Sequence, residues 1–554
     1  MVIRMLPCQI LCLLLAFLCF QVDCSLSFSS SFHHSSTHLC LSEQRDALLE
    51  FKHTISVDDD CDTYPTINSW NQSTDCCSWQ GVRCNKVTGH VIGIDLSHGC
   101  LNGSLFANNS LFHLQNLQWL DLSFNSFYGS LLENSTLFHL QGLQRLNLAH
   151  NNFNGSISSE LFNQLVSLTH LNLSDSGFSD LIRYAISLLS NLVSLDLSGN
   201  DDDTSLSFDA QGFDMLARNL TKLRNLVLDY IDLSGVSINS FLNLSSSLER
   251  LSLSYCELHG EFPGEVFGLP YLQHIHLSWN QNLTGYLPKT NLSLALELLD
   301  LSFCSFSGSI PSSFGNLTRI IFIDFSENDL GGQIPDVFEN LNKLTSLTFY
   351  SCNFSGQLPT TLFNLTQLTQ LDLSQNQLEG ALPNHVSKLQ LLEAFWVHDN
   401  QISGRLPSWL FTLPSLQQLD LSYNKLTGPI DQIQKPNYLD YIDLSSNEIH
   451  GPIPSTFFDL VNLSSLLLSS NNLSGVIKSN MLLKLKNLYN LDLSNNSLLS
   501  LSTSGNDVNY SSSQLGLVLF SSCGIRQFPN FFRTSKLMVL DLSNNKISGG
   551  ISKW

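Results

Sequence analysis

The sequence has few charged residues and few cations. Only 13% of its 554 residues are charged, and 26 Lys and Arg stand against 47 Asp and Glu, which gives a formal net charge of −21. Nucleic acid and anionic membrane surfaces repel so acidic a chain, which excludes both as partners. Beyond the N-terminal region, no stretch approaches the roughly 18 apolar residues that a membrane-spanning helix needs.

The sequence also lacks the short motifs that mark catalytic sites. It has no G-x-S-x-G, no H-E-x-x-H, no P-loop and no kinase motif set. Its many Ser, His and Asp residues follow a repeat and do not form a catalytic constellation. We therefore expect a protein that is not an enzyme and that holds neither a cofactor nor a metal.

What the sequence does contain is a repeat. Residues 368–383 read LTQLDLSQNQLEGALP, which fits L-x-x-L-x-L-x-x-N-x-L-x-G-x-L-P. Near-copies run from about residue 91 to residue 554, in about nineteen units, most of them about 24 residues apart. This is the leucine-rich-repeat signature, so we predict an α/β repeat solenoid, a superhelix with a parallel β-sheet on its concave face.

Each unit predicts one strand followed by an inward turn. Leu371 and Leu373 are two residues apart and so face the core together, while their neighbours point outward. Asn376 follows where the chain turns inward, and its amide can pair with backbone groups that would otherwise be buried alone. Four units have a cysteine at this position, which we interpret as structural: Cys256, Cys304, Cys352 and Cys523.

The N-terminal region predicts export and a cap. Residues 1–24 combine Arg4, an apolar run and a small final residue, which is typical of a secretory signal peptide. Residues 25–39 form a Ser/His-rich spacer. Residues 40–90 form a cap over the open end of the solenoid, and the repeats occupy residues 91–554, with the last unit incomplete.

The cap predicts a helix joined by disulfides. Ser42 is a candidate helix N-cap, and Leu48, Phe51 and Ile55 recur at helical spacing on one face. The cysteines suit an oxidising compartment, although the sequence leaves Cys61 and Cys100 without an assigned partner. A longer interval between Asn200 and Ile231 predicts an extra short helix on the outer side.

Export is also consistent with N-glycosylation acceptor motifs, N-x-S/T, spread along the chain. We predict these sites at Asn71, Asn102, Asn108, Asn134, Asn154, Asn172, Asn219, Asn243, Asn282, Asn291, Asn316, Asn353, Asn364, Asn462, Asn472, Asn495 and Asn509. Asn172 stands apart because it falls within a predicted strand, where a glycan would cover the concave face.

The candidate binding residues are those that depart from the repeat on the concave face. Four successive units carry an aromatic residue just before the Asn position, and nearby outward positions carry a cation or imidazole: Tyr230, Tyr255, Trp279, Phe303, Arg250, His274 and His276. Aromatic and Arg side chains dominate binding energy at interfaces. The alternative is that this position tolerates aromatics generally, since Phe124 and Tyr423 occupy it too. At a binding surface, a mildly acidic exterior would protonate the two histidines.

Two features resemble a known family. The pattern C…SWN…CCxWxGVxC between Cys40 and Cys84 resembles the N-terminal cap of plant leucine-rich-repeat proteins, and L-x-G-x-I/L-P is the plant form of the repeat. That resemblance implies disulfides between Cys40 and Cys76 and between Cys77 and Cys84. With the signal peptide, the chain resembles the ectodomain of plant receptor-like proteins of the disease-resistance type, which lack a kinase.

The resemblance implies a cell-surface receptor that binds an extracellular protein or peptide and signals through partner receptor kinases. Family members continue into more repeats and a membrane anchor, so we expect this chain to be truncated at its C-terminus. It would face the exterior at the plasma membrane if full-length, or reach the apoplast if the chain ends here. Two alternatives remain, the ectodomain of a receptor kinase and a secreted inhibitor of cell-wall-degrading enzymes similar to polygalacturonase inhibitors.

Overall fold

A computed structural model describes residues 40–57, 66–105, 109–130, 136–157, 159–182, 184–200, 206–433, 438–482, 484–502, 514–529 and 537–549. The segments 1–24 and 25–39 lie outside these residues, so the signal peptide and the spacer stay predictions. Cys61 and the sequons at Asn108, Asn134 and Asn509 also lie outside them. Within the described residues, no helix is long and apolar enough to cross a bilayer.

The described chain is a solenoid with one short parallel strand per repeat on its concave face, which confirms the predicted fold. Each strand pairs in register with the strands of the neighbouring repeats, as Arg250 pairs with His274. The concave strands are Val91–Asp95, Trp119–Asp121, Arg145–Asn147, His170–Asn172, Ser194–Asp196, Asn225–Val227, Arg250–Ser252, His274–His276, Leu298–Asp300, Phe322–Asp324, Ser346–Thr348, Gln370–Asp372, Ala394–Trp396, Gln418–Asp420, Tyr441–Asp443, Ser465–Leu467, Asn490–Asp492, Leu517–Leu519 and Val539–Asp541.

A second set of strands lies beside the concave sheet. Most are built from the L-x-G-x segments, and the cap adds one antiparallel strand, Ser56–Val57. Gly380 has φ 83°, and a Cβ there would lie 3.0 Å from Gln357 Cγ of the preceding coil, so this segment needs glycine. These strands are Ser56–Val57, Leu101–Ser104, Ser126–Gly129, Asn152–Phe153, Asp180–Ile182, Leu206–Phe208, His259–Glu261, Asn282–Tyr286, Ser305–Gly308, Asp329–Leu330, Gly332–Gln333, Phe354–Gln357, Gln377–Ala381, Gln401–Arg405, Lys425–Gly428, Glu448–Pro452, Asn472–Lys478 and Leu498–Ser502.

Helices occupy the opposite side and the N-terminal end. The α-helices are Ser42–Thr54, Ser159–Gln164, Ala210–Asn219 and Ser479–Leu482. The 3₁₀ turns are Thr66–Ser69, Cys76–Ser78, Ser110–His113, Thr136–His139, Tyr184–Leu188, Ile238–Asn243, Gly264–Gly268, Ser312–Asn316, Phe338–Asn340, Thr360–Asn364, Ser408–Phe411 and Ser455–Asp459. The helix Ala210–Asn219, capped by the Asp209 carboxylate, is the extra helix predicted after Asn200.

The core runs the length of the solenoid between these layers. Leu371 and Leu373 are both fully buried, as the spacing predicts. Asn376 closes the turn. Its Oδ1 accepts from the backbone N–H groups of Cys352 and Phe354 at 3.2 and 2.8 Å. Its Nδ2 donates to three backbone carbonyls at 2.7 to 3.1 Å. Cys352 reproduces half of this pattern, since its Sγ donates to the Phe325 carbonyl at 3.0 Å.

The cap places a helix against the first coil. The helix Ser42–Thr54 buries Leu48 and Phe51 completely. The N-cap prediction for Ser42 is wrong. Leu41 is the cap residue, because its carbonyl accepts from the N–H of Arg45 in the first turn of the helix. The Leu41 side chain makes no capping hydrogen bond.

The disulfides of the cap pair Cys40 with Cys76 and Cys77 with Cys84, with Cα separations of 5.6 and 5.5 Å. These are the two pairs that the family resemblance implies. Cys100, which the sequence leaves without a partner, is also disulfide-bonded.

Candidate functional site

The four candidate aromatic residues lie in the turns that follow the concave strands. Each has a positive φ, between 54° and 65°: Tyr230, Tyr255, Trp279 and Phe303. The left-handed conformation is unfavourable for bulky side chains, which makes a run of four aromatics there unusual. The turn geometry fixes this conformation in nearly every repeat, since the equivalent Gln375 and Ser351 share it.

These four side chains form one continuous stack. Successive ring centroids are 4.7, 4.9 and 3.8 Å apart, with interplanar angles of 9°, 11° and 8°. Offset aromatic pairs contribute about 0.5–1.5 kcal/mol each beyond their burial, which offsets part of the cost of the left-handed backbone. The ring faces within the stack are covered by one another. Tyr230 is 39% exposed, and the other three residues are half-buried.

A second, shorter stack precedes it along the solenoid. Phe124 lies between His98 and His150, with centroid separations of 4.1 Å on both sides. Sequence reasoning noted Phe124 only as an exception and missed this stack. The signal was available, because both histidines occupy the same position of the repeat as Phe124. In the repeats up to Phe303, the position therefore favours flat side chains, although Asp175 and Gly199 interrupt them before Tyr230.

Arg250 and His274 lie side by side on adjacent concave strands, and His276 lies on the same strand as His274. His274 Nε2 is 4.0 Å from Glu297 Oε2, and His276 Nδ1 is 3.8 Å from Asp300 Oδ2. Burial, assisted by the charge of Arg250, lowers the pKa of His274 to about 4. The expectation that a mildly acidic exterior protonates both histidines is therefore wrong for His274.

Arg250 is half-buried, and its Nε is fully buried without a hydrogen-bond partner. The nearby carboxylates are engaged elsewhere. Glu249 pairs with Arg224 at 3.2 Å, and Glu297 pairs with Arg319 at 2.6 Å. Asp229 accepts from Ser252 Oγ with both oxygens at 2.8 Å.

A column of carboxylates also lies on the concave strands. It includes Asp300, Asp324, Asp372, Asp420 and Asp443, while the concave strands from Leu298–Asp300 to Tyr441–Asp443 contain no Lys or Arg. Burial, and then repulsion from Asp300, raises the pKa of Asp324 to about 7. At Asp300 burial also acts to raise the pKa, but the hydrogen bond and charge of His276, together with hydrogen bonds from Ser302, hold that pKa below its usual value.

Further aromatic residues on the later concave strands are more dispersed. Phe322 is buried, and Tyr441 donates its hydroxyl to Asp443 Oδ2 at 3.3 Å. Trp396 is half-buried, and His398 lies 6.4 Å from Tyr350 between ring centroids. The structure therefore brings the predicted residues from Tyr230 to Phe303 into one surface, and leaves the later aromatics in a separate, acidic stretch.

No described cluster offers a usable metal site. Among the described residues, one group has metal-like spacing, Cys40, Asp75, Cys76 and Cys77, and its cysteines are held in disulfides. The buried cysteines of the Asn positions donate to backbone carbonyls. Burial raises the pKa of Cys304 to about 12, so its thiol stays protonated.

Most described sequons lie on exposed residues: Asn71, Asn154, Asn219, Asn282, Asn291, Asn316, Asn353, Asn364, Asn462, Asn472 and Asn495. Asn102, Asn172 and Asn243 are half-buried. Asn172 does lie on a concave strand, His170–Asn172, where its Oδ1 accepts from the Ser174 N–H at 3.0 Å. Glycosylation of these residues stays a prediction.

Family models match both parts of the chain. A leucine rich repeat N-terminal domain matches residues 41–85. Leucine rich repeat models match residues 141–201 and the segments 247–269, 295–317, 367–389, 415–435, 438–460 and 536–554.

The chain is similar to plant proteins named receptor-like proteins. It is 34% identical over 336 residues to Receptor-like protein 6 of Arabidopsis thaliana, which covers 58% of this chain and 29% of that protein. It is 36% identical over 280 residues to Receptor-like protein Cf-9 of Solanum pimpinellifolium, which covers 48% of this chain and 28% of that protein. The matches thus span less than a third of these curated relatives.

Solved structures share the fold over most of the chain. The Arabidopsis receptor kinase HAESA, solved with the peptide hormone IDA and the co-receptor SERK1, superposes with a TM-score of 0.71 at 28% identity, covering 91% of this chain and 90% of the solved chain. A TDR receptor superposes with a TM-score of 0.68 at 28% identity, covering 85% and 83%.

Proposed function

Because the chain is a leucine-rich-repeat protein of the plant receptor-like type, we propose that it is the extracellular ligand-recognition region of a plant cell-surface receptor. It binds a protein or peptide on its concave face and catalyses no reaction. The continuous stack from Tyr230 to Phe303, flanked by Arg250, is the observation that carries this proposal. Aromatic and Arg side chains grouped in a concavity are the usual anchors of protein interfaces.

The finer part of the proposal is a role in pathogen perception through partner receptor kinases. The matching receptor-like proteins support the class of receptor. HAESA, bound to a peptide hormone and a co-receptor, supports a peptide ligand and a kinase partner for this shared fold. Inhibition of a fungal polygalacturonase by the purified chain would favour the alternative of a secreted inhibitor. A kinase domain encoded after residue 554 would favour the receptor-kinase alternative.

The proposal is tested by removing the two central rings of the stack together with His274 of the adjoining concave strand. In plant cells that express the full gene product and respond to a microbial culture filtrate, the triple substitution Tyr255→Ala, His274→Ala and Trp279→Ala should abolish the response. These side chains contribute contacts at the surface rather than to the leucine core, so secretion should persist. The response is measured as the oxidative burst, and secretion by immunoblotting.

A matched control removes similar residues from outside the concave strands. Tyr271 and Tyr286 are 61% and 60% exposed. His259 is also exposed and lies on His259–Glu261, a strand of the second set beside the concave sheet. Alanine at these three positions should leave the response intact. An unchanged response in the Tyr255, His274 and Trp279 variant would rule out the stack as the binding surface.

A further inference from the structure

We propose that a cleft on the outer side of the solenoid is a binding site for the first sugar residue of an N-linked glycan carried by Asn243. The site goes beyond the proposed function and does not depend on it, because it lies away from the concave strands and stabilises the fold. Its basis is a contrast among three sequon asparagines that end equivalent 3₁₀ turns. Asn316 and Asn364 are exposed, whereas Asn243 is half-buried, and its Nδ2 donates to Asp214 Oδ1 of the preceding coil at 3.1 Å.

The outer cleft has a volume of about 490 Å³ and includes Asn243 in its lining. The helix Ala210–Asn219 forms one wall and the turn Ile238–Asn243 forms the other, and the two are joined by the buried rings of Phe213 and Phe241, whose centroids are 4.8 Å apart. The volume falls in the range of sites for small molecules, roughly 300–1,000 Å³. Apart from Ala210 the lining side chains are polar, and they include Gln211, Asp214, Arg218, Asn239, Ser240 and Asn243.

Hydrogen bonds within the outer cleft fix some of these side chains and leave others available. Asp214 accepts from Arg218 Nε at 2.7 Å as well as from Asn243, and the bond from Arg218 holds the pKa of Asp214 below its usual value. The side-chain amides of Gln211 and Asn239 are exposed and form no hydrogen bond with a described residue. Each amide has donors and an acceptor, which suit the hydroxyl and acetamido groups of N-acetylglucosamine.

Glycosylation is compatible with the hydrogen bond between Asn243 and Asp214. The donor is an oligosaccharide on a lipid pyrophosphate: the bond between Nδ2 and the sugar C1 forms, the bond between C1 and the pyrophosphate breaks, and Nδ2 loses one proton. An unmodified amide nitrogen carries two protons, so one N–H remains for Asp214. Because the sugar is attached inside the cleft, its contacts are intramolecular, and contacts too weak to hold a free sugar suffice.

The test uses the full chain secreted from cells that add high-mannose glycans. Glycopeptide mass spectrometry should find Asn243 occupied, and an endoglycosidase that leaves one N-acetylglucosamine on each site then isolates the first sugar. Hydrogen exchange of the amides in residues 210–219 and 238–243 reports on the two walls of the cleft. Trimming should leave their exchange unchanged, whereas Gln211→Ala should speed it severalfold, as expected for the loss of one or two net hydrogen bonds to the sugar.

A double-mutant cycle separates the sugar contact from a purely structural role of Asn243. In the Asn243→Gln chain, which carries no glycan at this position, Gln211→Ala should have no effect, because the partner of Gln211 is absent. A structural Asn243 would instead make the effect of Gln211→Ala the same in both chains. Asn316→Gln is the matched control, since it removes a glycan from an exposed site at the end of the equivalent turn, and it should change exchange in neither the turn nor the cleft.

A measurement on the unaltered chain avoids dependence on the folding of the Asn243→Gln variant. In the trimmed protein, NMR relaxation of the sugar acetyl methyl groups should show a rigid methyl at Asn243 and a mobile one at Asn316, which the Asn316→Gln variant assigns. An unoccupied Asn243, equal mobility of the two methyl groups, faster exchange on trimming alone, or equal effects of Gln211→Ala with and without the glycan would each overturn the site. None of these readouts uses the response to a ligand, so the site and the proposed function fail separately.

Discussion

At the scale of single residues, the pKa of the Asp that recurs after the strand leucine is shifted in opposite directions in different repeats. Asp324 and Asp541 both accept from the serine two residues on, at 2.9 and 2.8 Å to its backbone N–H. Burial and the nearby Asp300 raise the pKa of Asp324 to about 7, whereas hydrogen bonds from Ser543 lower the pKa of the more accessible Asp541. The same Asp and Ser positions of the repeat thus carry different electrostatic costs in different units, IDFS at residues 323–326 and LDLS at residues 540–543.

We expect Asp324→Asn to stabilise the protein at pH 7.5 and to have little effect at pH 4.5. A carboxyl whose pKa is raised on folding contributes stability below its unfolded value near 4 and loses it as the pH rises through about 7. The amide keeps an oxygen for Ser326 but never ionises, so the gain at pH 7.5 should be about 1–3 kcal/mol. Thermal melts across pH measure it.

Asp541→Asn is the matched control. Its lowered pKa means that the ionised form contributes stability above pH 4, so its amide variant should be less stable at pH 7.5 and more nearly equal to wild type at low pH. If both variants shift stability in the same direction at pH 7.5, burial does not set the sign of the effect.

At the scale of the repeat element, the inward turn could be predicted from the sequence, whereas the stacking of the aromatic side chains on that turn could not. Leucine spacing and a recurring Asn define the strand, the core and the turn, because each depends on local chemistry repeated in register. The stacking of Tyr230 to Phe303 depends on a left-handed backbone and on distances between coils, which no single unit encodes. The unpaired Nε of Arg250 depends on which carboxylates its neighbours have taken, and it too needed coordinates.

For the inward turn at Asn376, we predict that two substitutions destabilise the coil to different extents. Asn376→Ala removes five hydrogen bonds and should destabilise its coil by about 3 kcal/mol, because buried N–H and C=O groups lose their partners. Asn376→Cys should cost less, since a thiol can donate to the carbonyls, as Cys352 does, but offers the amides only a weak acceptor. Hydrogen exchange of the amides in residues 346–376 measures both.

Asn342→Ala is the control for the turn, because Asn342 is exposed and lies outside the Asn position. It should leave exchange unchanged. If the Cys variant proves as damaging as the Ala variant, the carbonyl side of the turn contributes nothing, and the four native cysteines need another explanation.

At the scale of the whole molecule, the described repeats share one core along the solenoid. Among the described residues, concave strands pair with the strands of adjacent repeats, and the first of them, Val91–Asp95, also pairs with Val82–Cys84 of the cap, so stability passes from neighbour to neighbour. The N-terminal end is covered by the cap, where Phe51 lies 6.5 Å from Trp70 and 6.4 Å from Phe127 between ring centroids. The cap therefore supports the first coils directly and the distant coils only through them.

Phe51→Ala should accordingly unfold the solenoid from its N-terminal end. Emptying a fully buried aromatic site costs about 3–5 kcal/mol, and here that loss falls on the cap and the coil that carries Phe127. Amides in residues 91–153 should exchange markedly faster, while those around residue 376 keep wild-type protection. Phe325→Ala, equally buried but stacked 5.4 Å from Phe349 in mid-solenoid, should instead accelerate exchange in the coils on both sides of it. Uniformly faster amide exchange along the chain after Phe51→Ala would contradict this expectation. It would show that the repeats unfold as a single cooperative unit and that destabilising one coil affects coils beyond those that contact it.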